Sequence, residues 1–311
     1  MLVWCFPLIT ALTAAPAAAT GTMQYGTFES PSVGKAQGYA VYLPPGYSED
    51  GNPYPVVIFL HGMWEDERRF EQRIEGNKII DKLIDEHQIT PVIVAIPNGD
   101  RSSFFTNYFK DSGKNYEDMV VKDFVPFIDA HYNTFGQREG RAITGSSMGG
   151  YGAFKMAFKH PDLFVSVATH SAALLPEDMD KMPERARRMM ENPRFKQMLA
   201  PVFGDPVDPK FWKDNNPFFL VHNGNATKMQ IQLDCGLQDE WGFHEGAKAF
   251  HELLDSLKIP HEFGLYPGDH GTGYLKANLY RSFVFHDKAF ARLNGDGHKA
   301  DPGKGESKSG G

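Results

Sequence analysis

The chain has 311 residues, of which 41% are hydrophobic and 23% charged, and a net charge of −7. That length can build one large α/β domain with a sizeable core, and by itself would also permit two domains. An acidic balance with no basic run gives no reason to expect nucleic acid or an acidic membrane surface as partner.

The N-terminal stretch Met1 to Leu12 is apolar and is followed by Ala15-Pro16-Ala17-Ala18-Ala19. It reads as a secretory signal peptide, residues 1–19, although no Lys or Arg precedes its apolar core. The stretch is too short for a membrane span, so the expected location is secreted or periplasmic. Cys5 would leave with this segment, so Cys235 is the single thiol of the mature chain and no disulfide is expected.

From residue 20 onward, short apolar runs alternate with helical patterns to about residue 293, as in a mostly parallel sheet flanked by helices. Gly26 to Ser32 and Gln37 to Leu43 suggest an antiparallel edge, and Val56 to Leu60 and Val92 to Ile96 are β-branched runs of buried-strand type. Helical patterns follow at Asn77 to Glu86 and Tyr116 to Tyr132. Then comes Arg141-Ala142-Ile143-Thr144-Gly145-Ser146-Ser147-Met148-Gly149, a strand running into Gly-x-Ser-x-Gly and on into a helix ending near His160. That setting is the one a nucleophile elbow requires, with the serine hydroxyl exposed on a sharp strand-to-helix turn. Ser146 occupies an x position, and its side chain is expected to point away.

A strand from Phe164 to His170 precedes an insert, residues 174–224, with a helical centre at Glu184 to Met198. Insertions there lie over the C-terminal edge of the sheet, where ligands bind in open α/β folds, so the insert reads as a cap. Strands at Met229 to Cys235 and His261 to Tyr266 and helices at Phe243 to Leu257 and Tyr274 to Leu293 complete the series. Residues 294–311 read as a disordered polar tail.

A serine hydroxyl needs a base, and the base needs a third group to hold its tautomer. In this arrangement the order is Ser, then Asp or Glu, then His. Asp239 stands in the loop after one strand and His270 in the loop after the next, with Asp234 and Glu240 as alternative acids. An oxyanion needs two N–H donors. Met148, after the nucleophile, offers one, and Met63 in Leu60-His61-Gly62-Met63-Trp64 is the candidate for the other, with His61 structural behind the loop. Of the aromatics near these loops (Trp64, Phe104, Phe105, Tyr108, Trp241, Phe243, Tyr274), the candidates for substrate binding are Trp64, Phe105 and Trp241. His251-Glu252 opens like a zinc-protease helix but lacks the second histidine, so no metal is assigned, and the chemistry calls for no cofactor.

With these residues in place the chain resembles the putative-esterase family of α/β-hydrolases, over about Tyr39 to Phe285. The resemblance rests on Phe59-Leu60-His61-Gly62, Ile96-Pro97-Asn98-Gly99, Tyr116-Glu117-Asp118, the elbow through Ala153, His160 to Phe164, Asp234-Cys235-Gly236 with Asp239, and Pro267 to His270. It implies a triad of Ser147, Asp239 and His270 and an oxyanion hole at Met63 and Met148. The expected function is hydrolysis of short-chain or aromatic acyl esters, including feruloyl or acetyl esters of polysaccharides. An acyltransferase with a sugar acceptor and a carbohydrate-binding protein without catalysis are the alternatives.

Overall fold

The computed structural model describes residues 19–176 and 184–295. The expected leader and most of the expected tail therefore lie outside the described residues. Strands β1 (Thr22–Ser30), β2 (Lys35–Leu43), β3 (Val56–Leu60), β4 (Ile93–Pro97), β5 (Arg141–Ser146), β6 (Ser166–His170), β7 (Gln230–Gly236) and β8 (Glu262–Tyr266) form one sheet in the order β1-β2-β4-β3-β5-β6-β7-β8. β1 and β2 make an antiparallel edge, β2 runs antiparallel to β4, and the remaining neighbours are parallel.

The apolar strand runs bury both faces of this sheet. Every residue of β3 and β4 is buried, as covering helices on each side require. Alternate side chains divide between two cores. Val56, Ile58 and Leu60 join one cluster with Tyr151, Phe154 and Phe250, while Val57 and Phe59 join the other with Ile80, Leu279 and Phe283. The helices Tyr116–Asp118 to Val125–His131, Met148–Lys159 and Phe243–Ser256 cover the first face, and Gly76–Asp85 and Thr272–Gly295 cover the second. The last helix runs to Gly295, two residues past the end expected from sequence.

Between β6 and β7 the insert carries helices Glu184–Glu191, Pro193–Phe203, Pro209–Asn215 and Pro217–Leu220. The single helical centre expected there is split at Asn192. Its side chain caps the second helix by accepting the Arg194 N–H, and Pro193 takes the first helical position. Phe195, Leu199, Val202 and Phe203 turn inward and join the larger core. Among the described residues no helix is long and apolar enough to cross a membrane.

Candidate active site

The loops after β3, β5, β7 and β8 all open at the C-terminal ends of parallel strands, where ligands meet open α/β sheets. Ser147 joins β5 to the helix Met148–Lys159 with φ 55° and ψ −120°, a conformation costly for a residue with a Cβ. The surroundings enforce it. The Ser147 N–H donates to the His170 carbonyl at 3.1 Å, and the Ser147 carbonyl accepts from Ala173 at 3.0 Å. Glycine is needed on either side: a Cβ on Gly145 would stand 2.4 Å from the Gly149 carbonyl oxygen, and one on Gly149 only 2.0 Å from that of Leu60.

Asp239 and His270 arrive on two loops tied to each other. Gln238 N–H donates to the Gly268 carbonyl (2.9 Å), Gly268 N–H to Gln238 Oε1 (2.7 Å) and His270 N–H to Glu240 Oε2 (3.0 Å). His270 Nδ1 lies 2.7 Å from Asp239 Oδ2 and its Nε2 lies 2.9 Å from Ser147 Oγ. Phe243 meets the His270 ring edge-on at 5.1 Å between centroids. Burial by itself would push the Asp239 carboxyl up. The hydrogen bond and charge of His270, with the Trp241 N–H at 3.0 Å, outweigh that and hold it below the ordinary value. Asp234 is taken elsewhere, with His170 Nδ1 at 2.9 Å and the Tyr274 hydroxyl at 2.6 Å. Glu240 holds the backbone of His270 instead of its ring.

Met63 and Met148 border the same small cavity as Ser147 and His270, about 90 Å³ and walled by Trp64, Phe104, Ala173, Leu175, Trp241 and Phe243. Behind this loop His61 is fully buried. Its Nδ1 lies 2.8 Å from the Gly62 carbonyl and its Nε2 accepts the Gly99 N–H at 3.0 Å. Burial lowers its pKa to about 4, so the ring is neutral, as this pairing demands. Trp64 and Trp241 also border a larger, open cavity of about 600 Å³, lined as well by Asn192, Arg194, Phe195 and Met198 of the insert.

One expectation needs correction. Phe105 does not line the cavity; it is fully buried, against the His61 ring at 5.3 Å and under Gly99 and Gly152. Phe104 takes the place expected of it. Phe104 and Phe105 both have positive φ, 53° and 48°, so the chain coils there and the two rings part in a way no strand or helix period describes. Ser146 is buried and, with Glu65, Arg69, Ser147 and His270, borders a second small cavity of about 60 Å³. Ala173 and Leu175 were not anticipated, because nothing in a short apolar run after β6 marks it as a cavity wall.

A family model described as Putative esterase matches residues 30–286. An esterase of Mycobacterium tuberculosis is 27% identical over 265 residues, covering 79% of this chain and 55% of that protein. The chain thus spans about half the length of that relative. An endo-1,4-beta-xylanase/feruloyl esterase of Xylanibacter ruminicola is 32% identical over 149 residues, 46% of this chain and 20% of that protein. Among solved structures, a ferulic acid esterase superposes with a TM-score of 0.73 at 24% identity, over 88% of this chain and 99% of that one, a likeness of fold.

Proposed function

Because the chain belongs to the putative-esterase family, we propose that it is a serine hydrolase of carboxylic esters, with Ser147, His270 and Asp239 as its triad. The observation that carries this reading is the unbroken relay from Ser147 Oγ through His270 to Asp239, at 2.9 and 2.7 Å. His270 Nε2 takes the Ser147 proton as Oγ attacks the ester carbonyl, and Asp239 keeps the other ring nitrogen protonated. The oxyanion of the tetrahedral intermediate lies against the backbone N–H groups of Met63 and Met148. The intermediate then collapses with cleavage of the bond from the acyl carbon to the alkoxide oxygen; His270 gives its proton to that oxygen, the alcohol departs, and the acyl group remains esterified to Ser147 Oγ. Water, deprotonated by the same ring, attacks the acyl carbonyl, and Ser147 regains its proton as the acid departs.

The apolar cavity beside Ser147 suits a short or aromatic acyl group held among Phe104, Leu175, Trp241 and Phe243. The larger cavity under the insert, which then acts as a cap, has room for the alcohol portion. The feruloyl esterase activity in the name of the Xylanibacter relative makes feruloyl esters the first substrates to try, with acetyl esters as the short-chain comparison that the small cavity suggests. The test is the hydrolysis of p-nitrophenyl esters from acetate to octanoate, and of a ferulate ester. Wild type turns over the short or aromatic esters, and Ser147→Ala loses roughly 10⁴-fold or more in kcat. Full activity in Ser147→Ala rules out the mechanism. Acyl transfer to an added sugar in preference to water would assign a transferase instead.

A further inference from the structure

Away from the site, at the C-terminal end of the helix Phe243–Ser256, three side chains converge. One ligand atom each from His251, Asp255 and His261 lies within 4.8 Å of the others. His251 and Asp255 are four apart on the helix and so share a face, with Nε2 and Oδ2 3.5 Å apart. His261 stands just before β8, and its Nε2 is 2.6 Å from His251 Nδ1. In the sequence His251 lacks a second histidine four residues on, so the helix by itself does not make a zinc-protease pair. The turn Leu257 to Pro260 supplies one from outside the helix, and Asp255 fills the i+4 position.

We propose that His251, Asp255 and His261 form a binding site for one divalent transition-metal ion of the zinc class. Two imidazoles and a carboxylate are a donor set for Zn²⁺ or its neighbours, whereas Ca²⁺ and Mg²⁺ call for oxygen ligands. The ring of His261 is already committed for this role. Its Nδ1 lies 2.8 Å from the Ile259 carbonyl and donates to it, which leaves Nε2 unprotonated, its lone pair directed at the cluster and accepting from His251 Nδ1, a hydrogen bond that the ion replaces. A backbone hydrogen bond of this kind is what fixes the tautomer of metal-ligating histidines. His251 is held flat on Phe263, with ring centroids 4.3 Å apart and an angle of 14°. One nitrogen from each ring and one Asp255 oxygen occupy three positions, and the half-exposed setting leaves the fourth to water. The ion ties the end of the helix to the start of β8. That clip lies at the far end of both elements from Asp239 and His270, so its effect is on stability and not on the chemical step.

The experiment is isothermal titration calorimetry of untagged, chelator-dialysed protein with ZnCl₂, paired with Co²⁺ absorption spectra and thermal melts. Wild type takes up one saturable equivalent, shows Co²⁺ d–d bands, and rises in Tm by roughly 5 °C at hundredfold excess over Kd. His251→Ala and His261→Ala each lose the uptake while keeping ester turnover within about twofold. Asp255→Asn, a milder change that preserves the helix, weakens uptake at least tenfold. Absence of saturable uptake by wild type, uptake retained in both histidine variants, or an equal response to CaCl₂ would overturn the proposal.

Discussion

Asp234 and Asp239 stand five residues apart at the end of one strand, yet they serve different histidines. Asp234 is locked in a buried cluster with His170 and Tyr274, and Asp239 faces His270. Asp239→Asn keeps the shape of the loop but offers an amide where the imidazole needs an acceptor for its N–H, so kcat should fall by roughly 10³- to 10⁴-fold. Glu240→Gln retains an oxygen for the His270 N–H and should stay within about fivefold of wild type. Steady-state kinetics on the two variants separates the acids; equal losses would contradict the assignment to Asp239. The candidate residues Ser147, Asp239 and His270 could be read from sequence because each sits on a strand-end loop whose order along the chain is a feature of the fold. The ring that meets the cavity, Phe104 and not Phe105, could not, because two consecutive left-handed residues have no sequence signature.

At the scale of elements, the helix bearing the elbow is pinned by a buried charge cluster that pattern reading passed over. Lys155 Nζ lies 3.0 Å from Glu117 Oε2 and donates to the Phe105 carbonyl at 2.7 Å and to Thr106 Oγ1 at 2.8 Å. Lys159 and His160 add contacts to the same carboxylate at 2.8 and 2.9 Å. Burial lowers the Lys155 pKa to about 8 despite Glu117. Glu117, which burial alone would raise, is held far below the usual carboxylate range by Lys155, His160 and Lys159. The two partners thus shift in opposite senses relative to pairing, and the direction that matters at neutral pH is that Glu117 is ionised. Glu117→Gln leaves Lys155 buried without its counter-charge and should cost about 3–5 kcal/mol in denaturant unfolding. Glu117→Gln with Lys155→Met should recover part of that loss, because no uncompensated charge remains. A single variant as stable as wild type would show that the pair is dispensable. A lysine in a helix reads from sequence as a solvent-facing residue, and only the packing of this helix against Tyr116–Asp118 reveals its role. The break at Asn192, by contrast, was visible in principle, since Asn followed by Pro is a helix-start signal.

For the whole molecule, two histidines far apart set the acid side of stability. His61 and His286 are fully buried, and burial lowers their pKa values to about 4 and about 3, with His170 adding to the second. Both folded values lie below the unfolded value of 6.5. The unfolded chain therefore binds more protons once pH drops below about 6.5, and stability falls as pH falls through that window. Each contributes on the order of 2 kcal/mol of loss between pH 6.5 and 5. Thermal melts across pH 5 to 7.5 should show Tm declining on the acid side, and a flat profile would contradict neutral burial of these rings. Beyond stability, the mostly parallel sheet, the antiparallel edge and the placement of the functional loops at strand ends were legible from apolar runs, whereas the strand order, with β4 between β2 and β3, was not. The convergence of His261 on His251 was not, because it depends on how a turn folds back on its helix.

The most direct test of Ser147 as the nucleophile is peptide-resolved mass spectrometry after a brief, acid-quenched reaction with a p-nitrophenyl ester. An acyl adduct on the peptide containing Ser147, absent from Ser147→Ala and accumulating in His270→Ala only slowly, is the predicted result. An adduct on any other side chain, or undiminished turnover by Ser147→Ala, would contradict it.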